Sequence, residues 1–303
     1  MISGIRIRAV ALAIVLAAVA TSVRAATVTT IYVNNTAALG GDGSTRFPFS
    51  DLTDAVSAAK VIAGSVVIAI APGVYTIDHS LVIDRPLELR GASVLVQGAD
   101  RRPTGEVVQG TDTRIVGTST LGTTPLVAVG RTDGIVISGV TISGLIFDAI
   151  PTSVEVFLTR VQNYSILNNV FLPPAQFGMH SVASSGVVTG NYFSGVGTGA
   201  IFSGGYAASP SSVVFQQNRA VKNALGGVLL NGASIGIPEL GDQVRAIIQD
   251  NDLSSNNQIA GFSFGIRVFI LRRDLVRVRR VTDRHLFRAP FPRAVGGQQR
   301  PTP

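Results

Sequence analysis

An imperfect repeat, apolar-x-x-Asn-x-apolar, limits the folds open to this chain more than any other feature of its sequence. Its four copies are centred on Asn169, Asn191, Asn218 and Asn251, at intervals of 22, 27 and 33 residues. An earlier copy, at residues 137–142, has Val in place of Asn. Because the motif is constant and its spacing varies, the pattern indicates a repeating coil that accepts insertions only at its turns.

The residues between the copies have the character of short strands. β-Branched and apolar runs, as in Ser65–Ile70, 134–142 and 153–158, end in Gly, Asn or Ser. Stacked coils pair each strand with its equivalent in the next coil, so we predict a parallel β-solenoid. Asn suits the bends because it tolerates left-handed backbone and can hydrogen-bond along a stack. The four Asn are therefore predicted to be structural; a sugar-binding row is the alternative.

A second motif, Gly followed by mostly apolar residues, comes after each Asn. It begins at Gly178, Gly199, Gly227 and Gly261. Strand alternation predicts that the residue after each Gly, namely Met179, Ala200, Val228 and Phe262, faces the core. The next residues, His180, Ile201, Leu229 and Ser263, are then expected to form a mostly apolar outward row.

One segment near the amino terminus is predicted to be helical. Leu52, Val56 and Ala59 recur at helical spacing within residues 50–62, and Ser50 or Asp51 is placed to cap the first turn. No other segment of the body shows a comparable helical period.

The order of these segments resembles the pectin-lyase-like, right-handed parallel β-helix superfamily. Its amino-terminal part is similar to pectin methylesterases in the succession Ile31-Tyr32-Val33, Gly41-Asp42-Gly43, Phe47-Pro48-Phe49, the helix, Ser65–Ile70, Pro72-Gly73-Val74-Tyr75 and Leu87-Glu88-Leu89-Arg90-Gly91. The resemblance implies an all-β, right-handed parallel β-helix with a short amino-terminal capping helix. It also implies a polysaccharide, above all an acidic one, as the partner.

The ends of the chain differ from its body. Residues 1–25 combine basic residues with a short apolar run and predict a signal peptide, hence a secreted or periplasmic protein with no transmembrane segment after cleavage. The β-helix is assigned to residues 26–271. Residues 272–303, rich in Arg and Pro, are predicted to be a disordered cationic tail or the product of a disturbed reading frame. The net charge of +7 arises at these ends, so nucleic-acid binding is not expected, and we expect a monomer.

The motifs of the best-known superfamily activities are missing. The Asn-Thr-Asp, Asp-Asp and Gly-His-Gly signatures of polygalacturonases do not occur, nor do the Gln-Asp-Thr and Asp-Phe-Ile-Phe-Gly segments of pectin methylesterases. An Arg-x-Pro-x-x-Arg match to pectate lyases, Arg288 to Arg293, lies in the tail. Zero Cys excludes thiolate chemistry.

The remaining catalytic hypothesis is β-elimination, which needs a base and a group that stabilises the enolate-like intermediate. His180 is the candidate base, and Arg160, Tyr164 and Glu155, one coil earlier, are candidates to complete a polar patch. A plain surface His is the alternative. No cofactor or resident metal is predicted, although a lyase of this kind can require Ca²⁺. The competing function is a non-catalytic adhesin, surface or scaffold protein, with stacked Ser, Thr, Asn and apolar rows in place of converging charges.

Overall fold

The structure, a computed structural model, describes residues 27–151, 153–204, 211–231, 244–256, 264–269 and 276–279. Most of its strands belong to three parallel sheets. Sheet 1 contains Val28–Val33, Ser65–Ile70, Glu88–Arg90, Thr141–Ser143, Tyr164–Leu167, Ser185–Thr189, Ser211–Gln216, Val244–Gln249 and Val276–Arg279. Sheet 2 contains Gly73–Ile77, Thr113–Gly117, Ile146–Asp148, Val170–Leu172, Tyr192–Ser194 and Arg219–Val221. Sheet 3 contains Leu81–Ile83, Val127–Val129, Val154–Thr159, Phe177–Val182, Thr198–Ser203, Gly226–Asn231 and Phe264–Phe269.

The chain passes through the three sheets in turn and then begins the next coil. After the sheet 3 strand Phe177–Val182, for example, it returns to sheet 1 at Ser185–Thr189, which pairs in parallel with Tyr164–Leu167 of the preceding coil. This arrangement is a parallel β-helix, so the predicted fold class is confirmed. Parallel connections of this kind are right-handed in about 98% of cases.

Aromatic rings stack along the core at the inward positions of sheet 2. The ring centroids of Phe147 and Phe171 are 5.2 Å apart, and those of Phe171 and Phe193 are 4.4 Å apart with planes 7° from parallel. All three side chains are fully buried. Since each buried Phe contributes roughly 1.5–3 kcal/mol through the hydrophobic effect, this stack is a main source of cohesion between coils.

A column of glycines makes room for this stack at the start of the long sheet 3 strands. A Cβ on Gly178 would lie 2.7 Å from the carbonyl oxygen of Gly199, and one on Gly199 would lie 2.7 Å from that of Gly227. In the next coil Val228 pairs with Ile266, so Gly265 continues the column. The predicted register, which placed Gly261, Phe262 and Ser263 here, is therefore wrong by four residues, and those three residues lie outside the described ranges.

The four repeated Asn form a ladder inside the bend between sheets 1 and 2. The Nδ2 of Asn169, Asn191 and Asn218 each donates to the Oδ1 of the Asn in the next coil, at 3.1, 3.0 and 3.1 Å. Each also donates to a backbone carbonyl of the preceding coil. Their predicted structural role is confirmed.

The left-handed backbone at this bend belongs to the residue before each ladder Asn. Asn168, Gln217 and Asp250 have φ values of 53°, 54° and 56°, and Gly190 has 67°. The ladder Asn itself is thus selected for its amide, which pairs in two directions at once, and the preceding residue makes the turn. This corrects the prediction that the ladder Asn adopts the left-handed conformation.

The predicted helix is present at Leu52–Ala59. Asp51 is its N-cap, and the Asp51 Oδ1 accepts a 2.6 Å hydrogen bond from the Thr53 backbone N–H. Leu52, Ala55, Val56 and Ala59 are buried in the main core beside the first coil. Its role as a cap stays a prediction.

An antiparallel hairpin, Leu95–Gln97 and Pro103–Val107, lies across the outer surface of sheet 2. Leu95 packs with Ile146 and Val170, and Gly105 lies so close to the ring of Tyr192 that a Cβ there would be 2.6 Å from it. Ion pairs fix its tip, because the Arg219 Nη2 is 2.6 Å from the Asp100 Oδ2. The hairpin thus joins an early coil to one more than 100 residues later.

The predicted ends of the chain fall largely outside the described residues, and the signal peptide at 1–25 falls entirely outside them. Within the predicted tail, Val276–Arg279 forms a strand that pairs in parallel with Val244–Gln249. Sheet 1 therefore extends past residue 271, where the sequence pattern placed the end of the β-helix. No helix of the described part of the chain is both long and apolar enough to cross a membrane.

Candidate functional site

His180 lies at an outward register position of sheet 3, between Phe157 of the preceding coil and Ile201 of the next. Its ring meets those of Phe157 and Phe177 edge-on, with centroids 5.5 and 6.3 Å away, and its Nε2 is 2.9 Å from the Ser203 Oγ. Burial lowers the pKa of His180 to about 4. The imidazole is thus neutral at pH 7 and surrounded mainly by apolar groups.

The pKa of His180 gives a direct prediction. Because burial penalises the imidazolium, the His180 ring should stay neutral as the pH falls from 8 to about 5, and protonate only near pH 4. Proton NMR of the ring hydrogens, assigned by comparison with His180→Gln, measures this. A titration midpoint near 6.5, as in an exposed histidine, would contradict the structure.

Tyr164 faces the core. It is 1% exposed, its ring covers Gly186 of the next coil, and its hydroxyl accepts a 3.2 Å hydrogen bond from the Ser181 Oγ. Burial raises the pKa of Tyr164 far above its ordinary value, so the phenol stays protonated. Tyr164 therefore serves the packing of two consecutive coils of sheet 1.

Glu155 is also inside. It stands opposite Gly178, at the position that glycine fills in later coils, and it is fully buried. Neither carboxyl oxygen has a hydrogen-bond partner. Burial raises the pKa of Glu155 well above its usual range; the backbone groups of Ala149 and Leu172 oppose this rise, and the charge of Asp148 adds to it. The group is a buried, neutral carboxylic acid.

Arg160 lies at the corner that follows Val154–Thr159, with a left-handed φ of 54°. Its Nη1 lies over Gly134, where a Cβ would be only 2.7 Å away. The structure thus separates the four predicted residues: Tyr164 and Glu155 face the interior, Arg160 is at a corner, and His180 is on the outer surface of sheet 3. It does not bring them together as one polar patch, and their catalytic roles stay predictions.

The outer face of sheet 1, here called the sheet 1 face, has no distinctive motif in the sequence. Its middle row is in continuous register from Thr141 through Ser165, Val187 and Val214 to Ile247. A parallel row contains Tyr32, Ala69, Arg90, Ser143, Leu167, Thr189, Gln216 and Gln249. Period-2 alternation signals such outward positions in each strand, but the register between coils of unequal length is not readable from sequence.

The sheet 1 face is mostly uncharged in its middle strands, whereas Glu88 and Arg90 before them and Arg277 and Arg279 after them hold register positions in the same two rows. In the sheet 1 strands from Thr141 to Gln249 the one charged residue is Arg245. Gln249 donates a 2.9 Å hydrogen bond from its Nε2 to the Gln216 Oε1. Amide side chains of consecutive coils thus pair on the outer surface of the β-helix as they do in the buried Asn ladder. Ile247 is 40% exposed. At about 4.8 Å per coil, the eight strands from Tyr32 to Gln249 extend over about 34 Å.

The segment Gly41-Asp42-Gly43 forms a local turn. The Asp42 Oδ1 accepts a 2.9 Å hydrogen bond from the Ser44 N–H, which makes Asp42 a turn residue. Across the described ranges, no group of three or more His, Asp or Glu is arranged to hold a metal ion.

Comparison with known proteins gives likenesses in fold alone. No protein-family model matches the chain, and no curated protein matches its sequence. Among solved structures, pectin methylesterase from Aspergillus niger is 12% identical, with a TM-score of 0.28 and 86% of each chain covered. The catalytic domain of a GH87 α-1,3-glucanase is 14% identical, with a TM-score of 0.39, over 76% of this chain and 56% of that one.

A third structure, ORF18 of Geobacillus virus E2, is 10% identical with a TM-score of 0.35, over 76% of this chain and 56% of that chain. The predicted parallel β-helix is confirmed by the order of the strands in the three sheets, and TM-scores below 0.5 add no argument to it. The class of protein that the sheet order itself defines is the three-sheet parallel β-helix.

Proposed function

We propose that this chain is an exported β-helix protein that binds a polysaccharide along the sheet 1 face without cleaving it. The observation that carries the proposal is the composition of that face: a row that includes Ser143, Gln216 and Gln249 runs beside the apolar stripe of Val187, Val214 and Ile247. Arg245 is the one charged residue in the sheet 1 strands from Thr141 to Gln249. Export rests on the predicted signal peptide.

The face suits a sugar polymer for two physical reasons. Side chains such as Ser143, Ser165 and Gln216 offer donors and acceptors to sugar hydroxyls, at a constant repeat along the helix axis. The stripe of Val187, Val214 and Ile247 offers apolar contact to the carbon faces of the rings. A surface with regular spacing on a rigid scaffold is pre-organised, so little conformational entropy is lost on binding.

The same composition argues against catalysis on this face. Glycoside hydrolysis uses two carboxylates around the scissile bond, and elimination uses a base beside a group that stabilises negative charge. Neither pair occurs in the strands from Thr141–Ser143 to Val244–Gln249. His180, on sheet 3, has Ser203 and two Phe rings as its neighbours.

Polymer binding by the full chain tests this proposal. Affinity electrophoresis in gels that contain acidic or neutral polysaccharides should show retardation. The double variant Val214→Ala with Ile247→Ala should bind about five-fold more weakly, because it loses exposed apolar contact area. Val74→Ala, which removes a 54% exposed side chain from sheet 2, is the matched control and should bind normally.

The outcomes distinguish the candidates. Ultraviolet absorbance of unsaturated uronate, followed with and without Ca²⁺, should stay flat. Growth of that absorbance would replace the binding proposal by β-elimination. Equal weakening in the Val74→Ala control would show that binding does not use the sheet 1 face, and absence of binding to every polymer would leave a scaffold or adhesin role.

A further inference from the structure

A cleft of about 380 Å³ opens at the amino-terminal end of the sheet 1 face. Its floor includes Tyr32, Ala69 and Arg90, which are consecutive register partners in the same outer row that continues to Gln249. Its wall includes Thr45 and Pro48, from the loop that precedes the helix. The cleft is therefore continuous with the proposed polymer-binding face, and its volume is in the range of small-ligand pockets.

Backbone hydrogen bonds hold the wall in place. The Tyr32 N–H donates to the Gly43 carbonyl at 2.8 Å, and the Phe49 N–H donates to the Tyr32 carbonyl at 3.0 Å. The Asn34 N–H then donates to the Phe49 carbonyl at 2.8 Å. The loop thus pairs with the first strand on both sides of Thr45 and Pro48, so the cleft exists before any ligand enters.

The chemistry of the cleft favours an anion next to a ring. None of the described residues that line it is Asp or Glu. The Arg90 side chain is 52% exposed and forms an ion pair with Glu88, whose Oε1 is 3.6 Å from the Arg90 Nη1; this distance is longer than a hydrogen bond, so a ligand carboxylate can compete for the guanidinium. Asn34 is oriented by two hydrogen bonds from Thr36 to its Oδ1, so its amide nitrogen is presented as a donor. Tyr32 is 37% exposed and offers an aromatic surface.

We propose that this cleft binds one sugar unit that carries a carboxylate, as the charged end or a charged unit of the polymer. Arg90 pairs with the carboxylate, the Tyr32 ring packs against the sugar ring, and Asn34 donates to a ring hydroxyl. The choice of a sugar rests on the proposed function; the choice of an anion rests on the cleft. The sheet 1 face binds the polysaccharide, and the cleft distinguishes a charged sugar unit from a neutral one.

Calorimetric titration of the full chain with trigalacturonate and with its neutral counterpart galactotriose tests this inference. Trigalacturonate should bind at least about ten-fold more tightly. Arg90→Gln should abolish that preference, because it removes the charge-assisted pairing. Tyr32→Ala should weaken both sugars, and Tyr32→Phe should restore most of the loss. Lys222→Gln, which removes an exposed cation far from the cleft, is the charge control.

Each outcome decides one question. An unchanged preference for trigalacturonate in Arg90→Gln would overturn the inference that the cleft binds a sugar carboxylate. An equal loss of that preference in Lys222→Gln would overturn it as well. Polymer retardation that still depends on Val214 and Ile247 would then leave the proposed function intact. Conversely, trigalacturonate binding that depends on Arg90, in a protein that no polymer retards, would support the cleft as an anionic-sugar site and overturn the polymer-binding face.

Discussion

Replacing Asn191 by Ala is expected to lower the free energy of unfolding by about 3–5 kcal/mol, one of the two largest effects anticipated for a single residue. Its Oδ1 accepts from both the backbone N–H and the Nδ2 of Asn169, and its Nδ2 donates to the Ile166 carbonyl at 2.8 Å. All of these groups are buried, so water cannot replace the lost bonds. Urea unfolding followed by circular dichroism measures the change.

Gln162→Ala provides the control, because Gln162 is an exposed amide of the same chemistry outside the ladder. It should change stability by less than about 0.5 kcal/mol. If Asn191→Ala were as mild as this control, the ladder would not carry the cohesion between coils that its geometry indicates.

Replacing Glu155 by Gln is expected to stabilise the protein, and increasingly so as the pH rises. Burial raises the pKa of Glu155 well above 4.5, so the folded state retains a proton that the unfolded state has lost. Below about pH 4.5 both states are protonated and the acid costs nothing extra. Above it, the wild type loses stability steadily as the pH approaches the raised pKa, and the variant does not.

Thermal unfolding of both proteins between pH 4 and pH 8 measures this difference. The two should be similar at pH 4 and should differ by at least about 1 kcal/mol at pH 8. Glu106→Gln, at an exposed position, should follow the wild type throughout. Parallel stability curves for wild type and Glu155→Gln would show that the carboxyl reaches solvent or a partner.

The ladder and the class of fold were predictable because their signals are local. Each ladder Asn lies inside a six-residue motif whose apolar positions fix its place in the bend, whatever the length of the coil. The helix at Leu52–Ala59 was predictable for the same reason, since its period and its Asp51 cap lie within one short segment.

The register between coils was not predictable in the same way. Two candidates for the last glycine, Gly261 and Gly265, are four residues apart, and each is followed by apolar residues. A Cβ on Gly227 would lie 2.8 Å from the Gly265 carbonyl oxygen, and this close approach selects the second candidate only once the coils are stacked. The burial of Glu155 could not be predicted from the sequence either, because Glu155 occupies the position that glycine fills in the later coils.

The sheet 1 face and its cleft depend on register over many coils. Tyr32 and Arg90 are 58 positions apart in sequence, yet Ala69 alone lies between them in the outer row. Strand alternation identifies each as outward, but their alignment depends on the connections between them. A binding surface assembled from one residue per coil leaves almost no local signature.

The hairpin over sheet 2 has a consequence for how this molecule comes apart. A plain solenoid can fray coil by coil from either end, because each repeat touches only its neighbours. Here the Asp100–Arg219 ion pair and the 2.7 Å bond from the Arg102 Nε to the Asp250 carbonyl bind the early hairpin to distant coils. Because these bonds connect the two ends of a series of coils, we expect the coils between the hairpin and Asp250 to unfold together and not one at a time.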